Sequence, residues 1–415
     1  MDASTRRRLI LGFISNWVSK LASTIINLVG VPIFLHFWTV PVYGEWLILN
    51  GLPTYLNQGT IGFGNVAGND MSIQTAAGDR DGAIRTFQSC WMLISGFGLL
   101  AGSIATVVVW TCPVTAWLHL DAIPVIDAKW IMTCLGWSLL LGQLEQLLQS
   151  AYRCIGRYPY GSLLKSMIVL TAFAVTMVVV VFHAGPRIAG MYFAATNIAG
   201  TILLGILVKR DIPWIEFGWK HARWSEIKRM AGPALSFMGF PLGSALNLQG
   251  TTMAINYVLG PLDVVIFSTA RTVSRVALQM IQMVNNTVWP ELSLAYGAKN
   301  MDLIRTLHRR ACQVALLFSC FVVGIMMLFG PWFLHRWTHG KVPPSPGLLA
   351  ILLLVVVVYS LWSTSATLHQ ATNRHQRLAA WYSVATAITV VVTYFCAKYS
   401  GLYAAAASLL LSEIA

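Results

Sequence analysis

"AAGDRDGAIRTF" at residues 76–87 and "AYGAKNMDLIRTL" at residues 295–307 are two spellings of one pattern. Both carry Ala-x-Gly and then Ile-Arg-Thr, with one extra residue in the second copy. "QSAYR" (149–153) and "QATNR" (370–374) repeat a Gln-x-x-x-Arg, and Asn27 is matched by Asn247. All three matches recur about 220 residues apart, so the chain is expected to be two copies of one unit. What kind of unit depends on the residues between the matches.

Those residues are mostly apolar. Hydrophobic residues make up 56% of the chain and charged residues only 10%, with a mean hydropathy of +0.66. Soluble domains carry charge on about a quarter of their residues, so this composition cannot cover a water-facing surface. The chain reads as an integral membrane protein. Apolar runs fall near 9–37, 41–69, 87–111, 130–152, 163–183, 188–208, 231–259, 262–290, 311–333, 347–369, 378–398 and 401–415. Most of these approach or exceed the roughly 20 residues a helix needs to span a bilayer.

Twelve spans and one repeat give two six-helix lobes, 1–208 and 231–415, joined by a basic linker, 209–230. An even number of helices per lobe gives both lobes the same orientation, related by a pseudo-twofold axis along the membrane normal. The repeat places the end of the twelfth helix at about position 428, which predicts that the chain continues beyond Ala415. The first run follows Arg6, Arg7 and Arg8 and is interrupted by Asn16 and Lys20, so it reads as an uncleaved helix rather than a signal peptide.

With the N-terminus on the cytoplasmic side, the cytoplasmic loops hold most of the 28 Lys and Arg residues. They include Arg80 and Arg85, Arg153 and Arg157, six in the linker, and Arg374 and Arg377. The outer side holds Lys129, Arg187, Arg336, Lys341 and Lys398. That asymmetry fixes the orientation by the positive-inside rule and accounts for the net charge of +13 without nucleic acid. Three cations remain within the membrane: Lys20, Arg271 and Arg275.

The two arginines are part of a stripe. Ser268, Arg271, Arg275, Gln279, Gln282 and Asn286 recur at steps of three and four, which is one helix face. Asn16, Lys20, Ser23 and Asn27 repeat that spacing in the first helix. At 1.5 Å per residue, Arg271 lies about 15 Å from Gly260 and Lys20 about 16 Å from Leu9, near mid-depth of the hydrocarbon. Cations there face a bundle interior or a wet cavity. They predict an anion-binding cavity between the lobes, with Lys20, Arg271, Arg275, Asn16, Asn27 and Gln279 as its substrate-binding residues. Arginine suits the task because its planar fork binds phosphate oxygens two at a time. The plainer reading is a set of buried ion pairs with Glu45, Glu145, Asp263 or Glu291. Pro32, Pro53, Pro233 and Pro241 mark broken helices, tolerated where helices line cavities.

Other signals carry less. The seven cysteines show no metal spacing and read as small buried hydrophobes. His335 and His339 stand four apart, but no acidic partner accompanies them, and no cofactor or metal is expected. "GFGNVAG" (62–68) matches a dinucleotide fingerprint, yet it sits at the end of a membrane helix, where small residues favour close packing.

The segment 42–79 resembles the second-helix region of bacterial polysaccharide transporters. These form the O-antigen flippase-like branch of the multidrug/oligosaccharidyl-lipid/polysaccharide exporter superfamily. The shared features are Tyr43-Gly44-x-Trp46, Gly62-x-Gly64 followed by Asn69, and Ala77-Gly78-Asp79. Many relatives have an Asp where this chain has Thr60, which bears on any cation coupling at that position. The resemblance implies an all-α integral membrane protein of about twelve transmembrane helices in two pseudo-symmetric lobes, a MATE-like fold. It implies a flippase carrying an undecaprenyl-pyrophosphate-linked oligosaccharide across the bacterial inner membrane by alternating access, with H⁺ or Na⁺ as coupling ion. A polysaccharide polymerase and a chain-length regulator are the implied partners, beside the lipid bilayer.

Three other functions stay open. One is a drug exporter of the same superfamily, which should carry intramembrane acids. Another is a flippase for a lipid-linked peptidoglycan precursor. The third is a membrane-embedded polymerase or glycosyltransferase, which would need catalytic residues in a sizeable outer loop. The longest outer segments, near 112–129 and 334–346, offer only Asp121 and Asp127.

Overall fold

The computed structural model describes residues 3–56, 61–117, 120–337, 343 and 345–414. Thr60, His339 and Lys341 lie outside them, as do the side chains of Asn27, Pro32 and Pro53. Every regular element described is helical. The helices are α1 (Ala3–Phe37), α2 (Val40–Leu56), α3 (Ile61–Ala76), α4 (Arg80–Thr111), α5 (Val114–Trp117), α6 (Val125–Cys154), α7 (Tyr158–Val181) and α8 (Pro186–Asp211). Then come α9 (Trp224–Ala245), a π turn (Leu246–Gly250), α10 (Thr251–Leu259), α11 (Pro261–Gly297), α12 (Met301–Trp337), α13 (Pro346–Ala371), α14 (Gln376–Ala407) and α15 (Leu409–Ile414).

Among the described residues, eight helices are long and apolar enough to cross a membrane: α4, α6, α7, α8, α11, α12, α13 and α14. Of the other expected spans, the second includes α2 and α3, with 57–60 outside the described residues, and the seventh is interrupted by the π turn. The last begins at Gly401, whose φ of 76° and ψ of −165° break α14 where a side chain would be strained.

The chain divides into two compact units, Asp2–Ala234 and Leu235–Ala415. The division falls inside α9, a few residues past the linker that the sequence suggested. The linker itself is packed on the first unit. Gln88 on α4 donates to the Glu216 carbonyl (3.0 Å) and accepts from the His221 amide (2.5 Å), while Ser89 accepts from the Arg223 amide (2.9 Å).

Each unit is built on one central helix. In the first, α6 packs against α2, α3, α4, α7 and α8; in the second, α13 packs against α11, α12, α14 and α15. The turns repeat as well. Left-handed residues follow helices at Gly78, Gly156 and His183 in the first unit, and at Lys299, Asn373 and Gly401 in the second. Asp79 caps α4 by accepting the Gly82 amide (2.7 Å), and Asn300 accepts the Leu303 amide (3.0 Å) in the same way. These turns correct the sequence register. Gly156 and Asn373 coincide only if Arg374 is set against Arg157 rather than Arg153, because α6 has 30 residues and α13 has 26.

Small residues set the helix contacts. A Cβ on Gly64 would lie 3.0 Å from the Gln146 side chain, and one on Gly68 would lie 2.6 Å from Ser150 Oγ. Gly64 and Gly68 therefore seat α3 on α6. Beside it, the Asn69 carboxamide accepts from Arg153 (2.8 Å). In the second unit Gly239 and Gly243 lie one turn apart on α9, facing α14; a Cβ on Gly243 would meet the Tyr382 ring at 2.7 Å.

Candidate functional site

The polar stripe of α11 begins against the break in the seventh span. A π turn replaces the usual hydrogen-bond register, and such turns recur at functional sites. Here Arg271 holds it. Its Nη2 donates to the Asn247 carbonyl (3.0 Å) and Oδ1 (2.6 Å), and its Nη1 to Thr251 Oγ1 (2.8 Å) and the Leu248 carbonyl (3.3 Å). The guanidinium also lies over the Phe267 ring, 5.3 Å from its centroid. Two backbone carbonyls and two side chains thus converge on one planar fork, a task a lysine ammonium would do less well.

Asn247, matched to Asn27 in the sequence, carries the network onward. Its Nδ2 donates to Ser412 Oγ (3.0 Å), Ser412 donates to Glu413 Oε1 (3.4 Å), and Trp362 Nε1 donates to Glu413 Oε2 (2.8 Å). The π turn, α11, α13 and α15 are joined by this one chain of hydrogen bonds.

Arg275, one turn further along α11, differs. It is exposed and, among the described residues, has neither a hydrogen-bond nor an ion-pair partner. Gln279 is half-buried next to it, and Gln282 donates to the Tyr359 hydroxyl (3.4 Å). The structure therefore brings Arg271, Arg275 and Gln279 together as one face, fixed at the Arg271 end and open at Arg275.

The remaining candidates belong to the first unit. Asn16 accepts from the Tyr158 hydroxyl (3.2 Å), which ties α1 to α7 beside the Ser19–Ser166 pair (2.7 Å). Lys20 and Ser23 lie exposed on α1. Asn27 occupies a helical position in α1, with its side chain outside the described set.

Three of the acids considered as partners, Glu45, Glu145 and Asp263, have other roles. Glu45 is buried and accepts three amides of the loop before α6, those of Asp121 (2.6 Å), Ala122 (2.6 Å) and Ile123 (2.8 Å). Glu145 accepts from Thr201 (2.7 Å), joining α6 to α8. Asp263 stands in the first turn of α11, where the helix dipole favours an anion. Among the described residues, no three His, Cys, Asp or Glu groups converge as a metal site.

Sequence reasoning missed Glu413 and Trp362. The signal for Glu413 was one acid in a terminal apolar run. Trp362 sits in "YSLWSTSATLHQ" (359–370), where Tyr359, Ser363, Thr367 and Gln370 also recur at helical spacing.

No protein-family model matches the chain, and no curated protein does. Solved structures do. The chain is similar to the crystal structure of a MATE point mutant, with a TM-score of 0.79 at 14% identity, covering 99% of this chain and 93% of that one. It is similar to the Vibrio cholerae MATE transporter VcmN in its bent form, with a TM-score of 0.76 at 16% identity, covering 100% and 95%. A MOP superfamily transporter from Pyrococcus furiosus also matches, with a TM-score of 0.77 at 14% identity over 99% and 93%; the reverse polarity of its binding pocket is described as suggesting a different function. The chain has the multi-pass fold of these MATE transporters.

Proposed function

We propose that the protein is a membrane transporter that moves an undecaprenyl-pyrophosphate-linked oligosaccharide from the cytoplasmic to the outer leaflet of a bacterial inner membrane. The observation that carries this reading is the pair on α11. Arg271 is held by hydrogen bonds and fixes the local backbone, which leaves Arg275 as an intramembrane cation without an acidic partner among the described residues. Such a charge is costly in lipid unless water or an anion attends it. A pyrophosphate group supplies that anion, and Gln279 and Gln282 offer amides to the first sugar. The cargo's polyprenyl tail stays in lipid while its headgroup crosses. The N-terminus is cytoplasmic in this reading, with H⁺ or Na⁺ as coupling ion.

A second reading, export of cationic compounds, is favoured by Glu413. It is an acid inside the second unit, hydrogen-bonded to Trp362 and set among aromatic rings. Its carboxylate already accepts from Trp362 and Ser412, which leaves less of it for a cationic guest.

The test is the lipid-linked pool in cells deprived of the protein. Accumulation of a pyrophosphate-linked glycan on the cytoplasmic leaflet, cleared by the restored protein, is expected. An unchanged glycan pool together with new sensitivity to cationic drugs would establish the second reading instead.

A further inference from the structure

Beyond the arginine stripe, the second unit contains a pocket of about 310 Å³ between α9, α11, α13 and α14. One wall is aromatic. Phe240 and Tyr382 have ring centroids 5.9 Å apart, Tyr382 and Trp362 5.5 Å, and Trp362 and Tyr359 5.4 Å. The lining also carries Gln282, Asn285 and Asn286 of α11, with Gln282 hydrogen-bonded to the Tyr359 hydroxyl (3.4 Å). No residue lining the pocket has a formal charge.

Asn285 is the telling residue. It is 7% exposed, and its Nδ2 donates weakly to Ser363 Oγ (3.4 Å). Its Oδ1 is buried with no donor among the described residues. A buried acceptor without a donor costs stability, and a ligand hydroxyl would supply the donor here. The aromatic wall is also fixed in place, because Glu413 holds the Trp362 indole N–H (2.8 Å) and Ser244 lies 3.4 Å from the Tyr382 hydroxyl.

We propose that this pocket binds one pyranose ring of the transported glycan. The inference rests on the oligosaccharide reading above and assigns the place where a sugar is held. A pocket lined by aromatic rings and neutral amides suits a polyol, whose C–H face packs on rings while its hydroxyls donate to Asn285 Oδ1 and exchange bonds with Gln282 and Asn286. With no carboxylate in the lining, a cationic guest would meet ring faces alone, whereas a polyol meets both the rings and the amides. The pocket volume lies at the lower end for ligand sites, the scale of a single ring rather than a chain. Glu413 is a positioning residue, acting through Trp362.

The experiment uses the purified full chain in nanodiscs and saturation-transfer NMR with methyl glycosides of glucose, galactose and N-acetylglucosamine. At least one is expected to bind on a millimolar scale, on the order of −4 kcal/mol. Asn285→Leu and Trp362→Leu should each weaken that signal about tenfold or more, and Arg377→Ala, at an exposed position, should leave it unchanged. Asn285→Leu also removes the orphaned acceptor, so its thermal stability should equal or exceed wild type. Glu413→Gln should weaken the sugar signal less than Trp362→Leu does.

Sugar binding indifferent to both pocket substitutions would overturn the assignment. So would the absence of sugar binding while inorganic pyrophosphate binds in an Arg275-dependent way, an outcome that leaves the transport reading standing. Binding of tetraphenylphosphonium lost on Trp362→Leu, with no glycoside bound, would overturn both.

Discussion

The two units share a plan and differ in what occupies its centre. Counting back from the matched turns at Gly156 and Asn373, the Tyr359, Trp362 and Tyr382 of the second unit stand where the first has Gly142, Glu145 and Lys165. In the first unit that region is closed by structural bonds such as Glu145 to Thr201. In the second it opens as an aromatic and amide pocket. Their first spans differ too. The first unit has a continuous α1, whereas the second unit has a π turn in its first span. A repeat fixes helix order and turns. It leaves each copy free to place its irregular backbone, and its chemistry, where the other has none.

The largest expected effect is at the π turn. Arg271→Ala leaves two backbone carbonyls, an amide oxygen and a hydroxyl without their donor. It should destabilise the second unit by about 3–4 kcal/mol, read as a fall in the thermal unfolding midpoint or in membrane levels. A stable Arg271→Ala protein would break the contrast between a fixed and an open arginine.

Next is Glu45→Ala, which frees three loop amides in the first unit. About 2–3 kcal/mol is expected from lost charge-assisted bonds, with transport per folded molecule unchanged. Loss of transport in fully folded protein would show that the first unit's acid is more than structural.

Gly243→Ala drives a methyl group toward the Tyr382 ring, 2.7 Å away. Moving that ring should cost about 1–2 kcal/mol and disturb the aromatic wall. The matching change in sugar binding would sharpen the link between α9–α14 packing and the pocket. The smallest effects are the caps. Asp79→Ala and Asn300→Ala should each cost about 1 kcal/mol, and equal losses would confirm that these turns are true counterparts.

Much of this was legible in the sequence. Apolar runs located the helices because each span must bury its own backbone polar groups, and the Ala-x-Gly and Ile-Arg-Thr matches exposed the repeat. The stripe through Arg271, Arg275 and Gln279 was legible because it lies on one continuous helix. The π turn was not, since hydropathy carries no mark of an altered hydrogen-bond register. Nor did charge alone separate Arg271 from Arg275, because their difference is made by Asn247 and Thr251 on another helix. The pocket was hidden for the same reason, being assembled from four elements. Glu413 was hidden by being a single acid in a short terminal run.

The central claim is that Arg275, unlike Arg271, is free to meet an anionic cargo. It is tested most directly by glycan export in a deletion background expressing Arg275→Ala or Arg275→Lys, with membrane levels measured in parallel. The account predicts wild-type protein levels for both, export reduced about tenfold or more by alanine, and partial rescue by lysine, which keeps the charge but loses the two-pronged geometry. Wild-type export by the alanine variant, or loss of the protein itself, would contradict it.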